Sequence, residues 1–226
     1  MHIAEGLLPL SQATMWSLIS LPVVVYSFKK ISTAGAKDPF FKTISAILGA
    51  TVFIISAMPI PVPLVGTCSH PTGIGMIVPL VGPWIAIVIS SVALALQALF
   101  LAHGGISTLG ANIFSMGIIG SFSALLVFTA TRRIGASLGI STFLSGLTAD
   151  WCTYIGTALI LSLSITGDTS FLRVFLSIVI AFMPTQIPIG ILEGFMAMGA
   201  VQFISKRRPD IIEHLGRLKL MPNFSR

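Results

Sequence analysis

The residues in this chain best suited to chemistry are its four histidines, His2, His70, His103 and His214. The opening dipeptide Met1-His2 offers an α-amino nitrogen, the His2 amide nitrogen and the imidazole Nδ1. These three close two fused chelate rings on one metal ion, and they lie nearly in a plane because the peptide unit is itself planar. A fourth nitrogen in that plane completes a square. Square-planar nitrogen sites point to Ni(II) or Cu(II), since zinc prefers a tetrahedron and calcium or magnesium require oxygen. Such binding releases protons and weakens in acid. The alternative is an ordinary exposed histidine on a mobile terminus, and His2 alone does not separate the two readings.

His70 lies in GTCSHPTG, at the mouth of a short apolar segment. A histidine at membrane depth is costly and marks a functional candidate, but a hydrogen-bonded core histidine fits the same position. Cys68 reads first as a small packed residue, although a thiolate there would shift preference toward softer ions. His103 and Asn112 border the glycine-rich AHGGISTLGAN. There they can hydrogen-bond metal-binding groups and fix the orientation of an imidazole. His214, beside Glu213, reads as part of a solvated helix face. Asp150 and Glu193 are isolated acids within apolar runs, accompanied by Gln97 and Gln186. Without a regular ladder of acids they read as hydrogen-bonded bridges between helices.

These residues sit in a strongly apolar chain. Of 226 residues 54% are hydrophobic and only 9% charged, far from the roughly 25% charged residues of a soluble domain. With a span needing about 20 residues, the length accommodates about seven spans in one all-α transmembrane domain over residues 1–226. The net charge of +6 comes from basic residues flanking apolar runs: Lys29, Lys30, Lys37, Lys42, Arg132, Arg133, Lys206, Arg207 and Arg208. That is the positive-inside pattern of a multi-pass protein in contact with lipid, and it argues against nucleic acid. Cys68 and Cys152 show no paired spacing, so neither a disulfide framework nor a zinc ribbon is indicated.

The expected spans run over about 7–28, 43–58, 67–81, 83–102, 113–131, 138–165 and 171–204, with Gly82-Pro83 as the turn between the third and fourth and residues 102–112 as an outer loop. The early sequence lacks a basic leader region, so residue 1 is expected to be a mature amino terminus facing outside, with the carboxyl terminus cytoplasmic. Residues 205–226 form an amphipathic cytoplasmic tail suited to an anionic leaflet. Small-residue pairs at Ala46 and Ala50, Gly135 and Gly139, and Gly190 and Gly194 permit close helix contacts.

The chain has no GxxxxGK[ST] loop, no HExxH pair and no GxSxG elbow, so it does not hydrolyse ATP through a phosphate loop. Two other classes remain to be weighed against metal capture. One is an intramembrane metal-dependent hydrolase using His70, His103 and an acid such as Asp150, which requires three ligands and an open position for water. The other is a passive channel, for which charged rings are lacking.

Four separated motifs in order, MHIAEG, VGTCSHPTGIG, GPWIAIVISSVALALQALF and AHGGISTLGANIFSMGIIGS, resemble the CbiM/NikM family. These are substrate-binding membrane subunits of energy-coupling-factor transporters for cobalt and nickel in prokaryotic cell membranes. The resemblance implies metal ligation by Met1, through amine, by His2, through amide and imidazole, and by His70. It implies transported Ni²⁺ or Co²⁺ as the ligand with no resident cofactor, and no enzymatic activity in the subunit itself. It also implies a scaffold transmembrane subunit, two cytoplasmic ATPases and often a small accessory membrane subunit as partners. The face at Ala46 and Ala50 resembles the scaffold contact.

Overall fold

The computed structural model describes residues 2–36, 38–58, 60–61 and 68–218. Among these residues it is all-α apart from one small ribbon. Helices α1 (Leu10–Ala36) and α2 (Pro39–Ser56) are followed by strands β1 (Ile60–Pro61) and β2 (Cys68–Ser69). Then come α3 (Ile74–Phe100), α4 (Leu109–Arg133), α5 (Leu138–Ile165), α6 (Phe171–Arg207) and the short α7 (Pro209–Arg217). Among the described residues α2, α3, α4 and α6 are each long and apolar enough to cross a membrane. Helices α1 and α5 have 27 and 28 residues, which at about 1.5 Å per residue also exceeds a bilayer core of roughly 30 Å. Exposed Leu18, Phe28, Ile54, Phe100, Leu126 and Phe203 give the outside the apolar surface that a lipid environment requires.

Local signals explain the helix ends. The Asp38 carboxylate accepts hydrogen bonds from the Phe40 and Phe41 amides, and Pro39 occupies the first helical turn, so α2 begins earlier than expected. Helix α1 runs through Lys29-Lys30 to Ala36. Basic residues mark where the chain leaves the membrane rather than where a helix stops, so the charges placed its end too early. Helix α5 has the expected bounds, with Ser137 capping the Ile140 amide.

The Gly82-Pro83 break is present as a kink inside α3. Gly82 has φ 76° and ψ 171°, a conformation open to glycine, and it joins two helical halves. The first half begins at Ile74 rather than near residue 67, because the chain ahead of it pairs as an antiparallel ribbon with Ile60 opposite Ser69 and Pro61 opposite Cys68.

Helix α3 is the centre of the bundle and touches every other helix. Ile74, Ile77, Val78, Ile85, Ala86 and Ile87 on it are fully buried. Gln97 acts as the expected bridge, its side-chain amide Nε2 donating to Phe53 O at 3.1 Å and to Ser56 Oγ at 2.8 Å on α2. At one end of the bundle the ribbon, residues 2–8 and the 102–109 loop come together. At the other, His214 of α7 bonds to the Asp38 carboxylate, and Leu215 beside it is fully buried. The α7 helix is therefore docked on the bundle rather than solvated all round.

Candidate metal centre

The centre is built from an amino-terminal segment, an extended ribbon and a loop, each held by side chains elsewhere. Asn112, on α4, clamps residue 3: its Oδ1 accepts from Ile3 N at 2.7 Å and its Nδ2 donates to Ile3 O at 3.1 Å. Thr108 Oγ1 also donates to Ile3 O, at 2.7 Å. A π-helical stretch, Ile113–Ile119, begins directly after Asn112. Such bulges recur at functional sites because they re-aim neighbouring side chains. Further along, the Glu5 carboxylate accepts from Ser107 N at 3.1 Å. Gly105 makes that approach feasible, since a Cβ there would lie 2.6 Å from Glu5 Cα. The amino-terminal segment is thus fixed by backbone contacts that depend on the 102–112 sequence.

His70 follows β2 and is held from two sides. Ser69 Oγ and Thr185 Oγ1 of α6 are hydrogen-bonded at 2.8 Å. Glu193 of α6 takes the Thr72 amide at 2.5 Å and the Thr72 hydroxyl at 2.6 Å. Glu193 thus bridges α6 to the non-helical segment ahead of α3, where the sequence leads one to expect a bridge between two helices. The His70 Nδ1–H donates to Pro71 O at 2.9 Å, which places the ring's lone pair on Nε2.

These anchors bring His2, Cys68, His70 and His103 together, one ligand atom from each lying within 4.8 Å of all the others. His2 Nδ1 is 3.0 Å from His103 Nε2, and Cys68 Sγ is 2.9 Å from the same nitrogen. The His2 and His70 rings stack at 4.4 Å with planes 22° apart, and the His103 ring is nearly perpendicular to both. His2 is 1% exposed and His70 0%, so neither is a solvated terminal or loop residue. His2 Nε2 and His103 Nδ1 are buried with no hydrogen-bond partner among the described residues, a condition that marks functional sites more often than ordinary cores.

Burial, with neighbouring His70 adding, holds the His2 imidazole well below its usual range. Burial does the same to His70, and it brings His103 down to about 4. All three rings are therefore neutral near pH 7, and neutral nitrogen is what a transition ion needs. A group of imidazoles with one thiol suits borderline and soft divalent ions rather than calcium or magnesium.

Of the residues singled out in the sequence, Met1 lies outside the described residues. His2 and His70 converge. His103 lies within the cluster rather than behind it, whereas Asn112 acts on the backbone of residue 3. Asp150 is not in the group; it sits on α5 opposite Gly190 of α6, with both carboxylate oxygens unpartnered among the described residues. A hydrolase built from His70, His103 and Asp150 accordingly gains no support. Cys68 reads from the sequence as packing, and its spacing to His70 becomes a signal only once the segment is seen to be extended. Residues two apart in an extended segment share a face.

The sequence model of the CbiM family, described as the cobalt uptake substrate-specific transmembrane region, matches residues 2–211. The chain is 46% identical over 225 residues to the cobalt transport protein CbiM of Sorangium cellulosum, covering 100% of both. It is 49% identical over 216 residues to the cobalt transport protein CbiM of Geobacter sulfurreducens, covering 96% of this chain and 62% of that one. A crystallised transition metal transporter superposes with a TM-score of 0.85 at 25% identity, covering 97% of this chain and 100% of its own. With its apolar helices, the chain is a multi-pass prokaryotic membrane protein, and it belongs to the CbiM family.

Proposed function

We propose that this protein captures Ni²⁺ or Co²⁺ at the outer face of the membrane as the substrate-binding subunit of an energy-coupling-factor uptake transporter. The observation that carries the reading is the convergence of buried His2 and His70 at one end of an apolar bundle. The Met1 amine, the His2 amide and Nδ1, and the His70 ring replace the water of the incoming ion. His2 Nδ1, the nitrogen that a terminal chelate needs, is the one 3.0 Å from His103 Nε2. Four nitrogens in a plane give Ni(II) a modest preference. Asn112 supports the site by fixing residue 3.

In this reading residues 1–226 are one transmembrane domain, with the amino terminus outside and the 205–226 tail on the cytoplasmic leaflet. The chain makes and breaks no bond in its substrate. ATP hydrolysis belongs to two cytoplasmic ATPases, coupled through a scaffold membrane subunit, with a small accessory membrane subunit alongside. A groove of ≈ 670 Å³, lined by Ser45, Ala46, Gly49 and Ala50 of α2 with Val92 and Leu96 of α3, offers the scaffold a small-residue surface. Release of the ion requires its ligands to separate, and withdrawal of the amino-terminal segment achieves this.

The test is a titration of purified protein with Ni²⁺ and Co²⁺, with its first residue established by mass spectrometry. Adding one alanine before Met1, or acetylating the amine, is expected to abolish tight binding. Unchanged affinity removes the terminal amine from the site, and His70→Ala with unchanged affinity removes His70.

A further inference from the structure

Cys68 and His103 belong to the cluster but not to the terminal-nitrogen and His70 set on which the proposed binding rests. Bonds to a transition ion are about 2.1 Å from nitrogen and about 2.3 Å from sulfur, so donors at right angles lie about 3 Å apart and donors across the ion about 4.3 Å apart. Cys68 Sγ to His103 Nε2 is 2.9 Å, and His103 Nε2 to His2 Nδ1 is 3.0 Å. Both match adjacent positions on one ion. The whole group fits within 4.8 Å, close to the span across an ion.

The supporting elements give each residue a fixed approach. Cys68 is in β2, paired with Pro61, and His70 lies two residues on, so the ribbon that aims the imidazole also aims the thiol. His103 is held by its own amide, which donates to Gln97 O at the end of α3 at 3.2 Å. Its ring plane is 86° from that of His2 and 82° from that of His70, so its nitrogen arrives from a different side than the stacked pair.

We propose that Cys68, as a thiolate, and His103, through Nε2, are direct ligands of the transported ion. Resting on the binding site proposed above, this replaces the square of nitrogens with a mixed nitrogen and sulfur shell of about six donors; because Cys68 and His103 are adjacent, one of them takes an in-plane position and the stacked His70 ring moves to the axis, which favours Co(II) over planar low-spin Ni(II). The thiol proton is released to solvent as the ion enters, and the thiolate then offsets one of its two positive charges. Among the described residues the cluster holds no carboxylate to do so.

The experiment is a titration of the full-length protein in detergent with CoCl₂, followed in the near-ultraviolet and visible. A saturable thiolate-to-cobalt charge-transfer band is expected in the wild type and in Cys152→Ser, whose remaining thiol is Cys68. The band is expected to vanish in Cys68→Ser, with Co²⁺ affinity down about tenfold or more and Ni²⁺ affinity reduced less. His103→Ala is expected to lower Co²⁺ affinity by a similar factor. Saturable Co²⁺ binding to the wild type without a thiolate band overturns the assignment of Cys68 while leaving the binding function standing. Unchanged affinity in His103→Ala overturns the assignment of His103. Absence of Co²⁺ and Ni²⁺ binding to the wild type overturns the underlying function instead. Because the wild type and Cys152→Ser carry the spectroscopic readout, the test does not depend on Cys68→Ser folding.

Discussion

Asn112 shows how a single side chain can govern the proposed metal site without belonging to its ligand cluster. It satisfies both backbone groups of Ile3. Removing it leaves the buried Ile3 amide without an acceptor, a loss of about 1–3 kcal/mol. Asn112→Ala is therefore expected to weaken metal binding roughly tenfold or more in a calorimetric titration, whereas Asn112→Asp keeps the acceptor and loses less; equal affinities for the two variants would deny the clamp. The imidazoles add a pH dependence whose sign follows from burial. An imidazole released from the cluster takes up a proton near its ordinary value of about 6.5, while the docked one does not, so the released state binds more protons. Docking of residues 2–8 in the metal-free protein is thus at full strength above about 6.5 and declines as pH falls toward the value of about 4 to which His103 is held. Hydrogen exchange of the Ile3 amide, corrected for its intrinsic pH dependence, measures this; constant protection across the window contradicts it. Much of this chemistry is legible in the sequence, because a terminal dipeptide carries its chelating geometry with it. Cys68 is not, since a lone cysteine in an apolar chain reads as packing until a two-residue strand shows which way it points.

Glu193 links the scale of residues to that of helices. It stands on α6, yet its carboxylate holds Thr72, two residues beyond His70. The position of the loop is thereby tied to the packing of α6 against α5, which is close throughout their length. Glu193→Ala is expected to reduce metal affinity about 10- to 100-fold, the range for losing a group that orients a ligand. Glu193→Gln keeps one acceptor oxygen and falls between. Wild-type affinity in Glu193→Ala would mean that the loop holds its shape unaided. The long helices follow from hydropathy and caps, as α5 illustrates from Leu138 to Ile165. The elements that aim the ligands do not. The β1–β2 ribbon has two residues per strand, and in a segment with several prolines neither periodicity nor propensity announces it. Gly82-Pro83, by contrast, is a local signal: the non-helical Gly82 separates the two halves of α3 at the point where the sequence places the turn.

At the scale of the whole molecule, the metal cluster and the tail docking lie at opposite ends of one bundle, and the groove between α1, α2 and α3 faces sideways between them. A partner seated in that groove contacts α3, the helix whose far half approaches the ribbon and whose last turn carries the Gln97 carbonyl that holds the His103 amide. The groove and the site thus share α3 without touching each other. The prediction concerns separability. Ala50→Phe places a bulky ring in a groove of ≈ 670 Å³ lined by small residues, so it is expected to prevent co-purification of the scaffold subunit while leaving the isolated protein's metal affinity within about twofold of wild type, as for distant independent sites. Metal titration of the isolated subunit and pull-down from co-expressing cells measure the two sides. Intact assembly with Ala50→Phe would move the docking surface elsewhere. A parallel loss of metal binding would show instead that the groove and the cluster are one cooperative unit, because α3 cannot shift at one without disturbing the other.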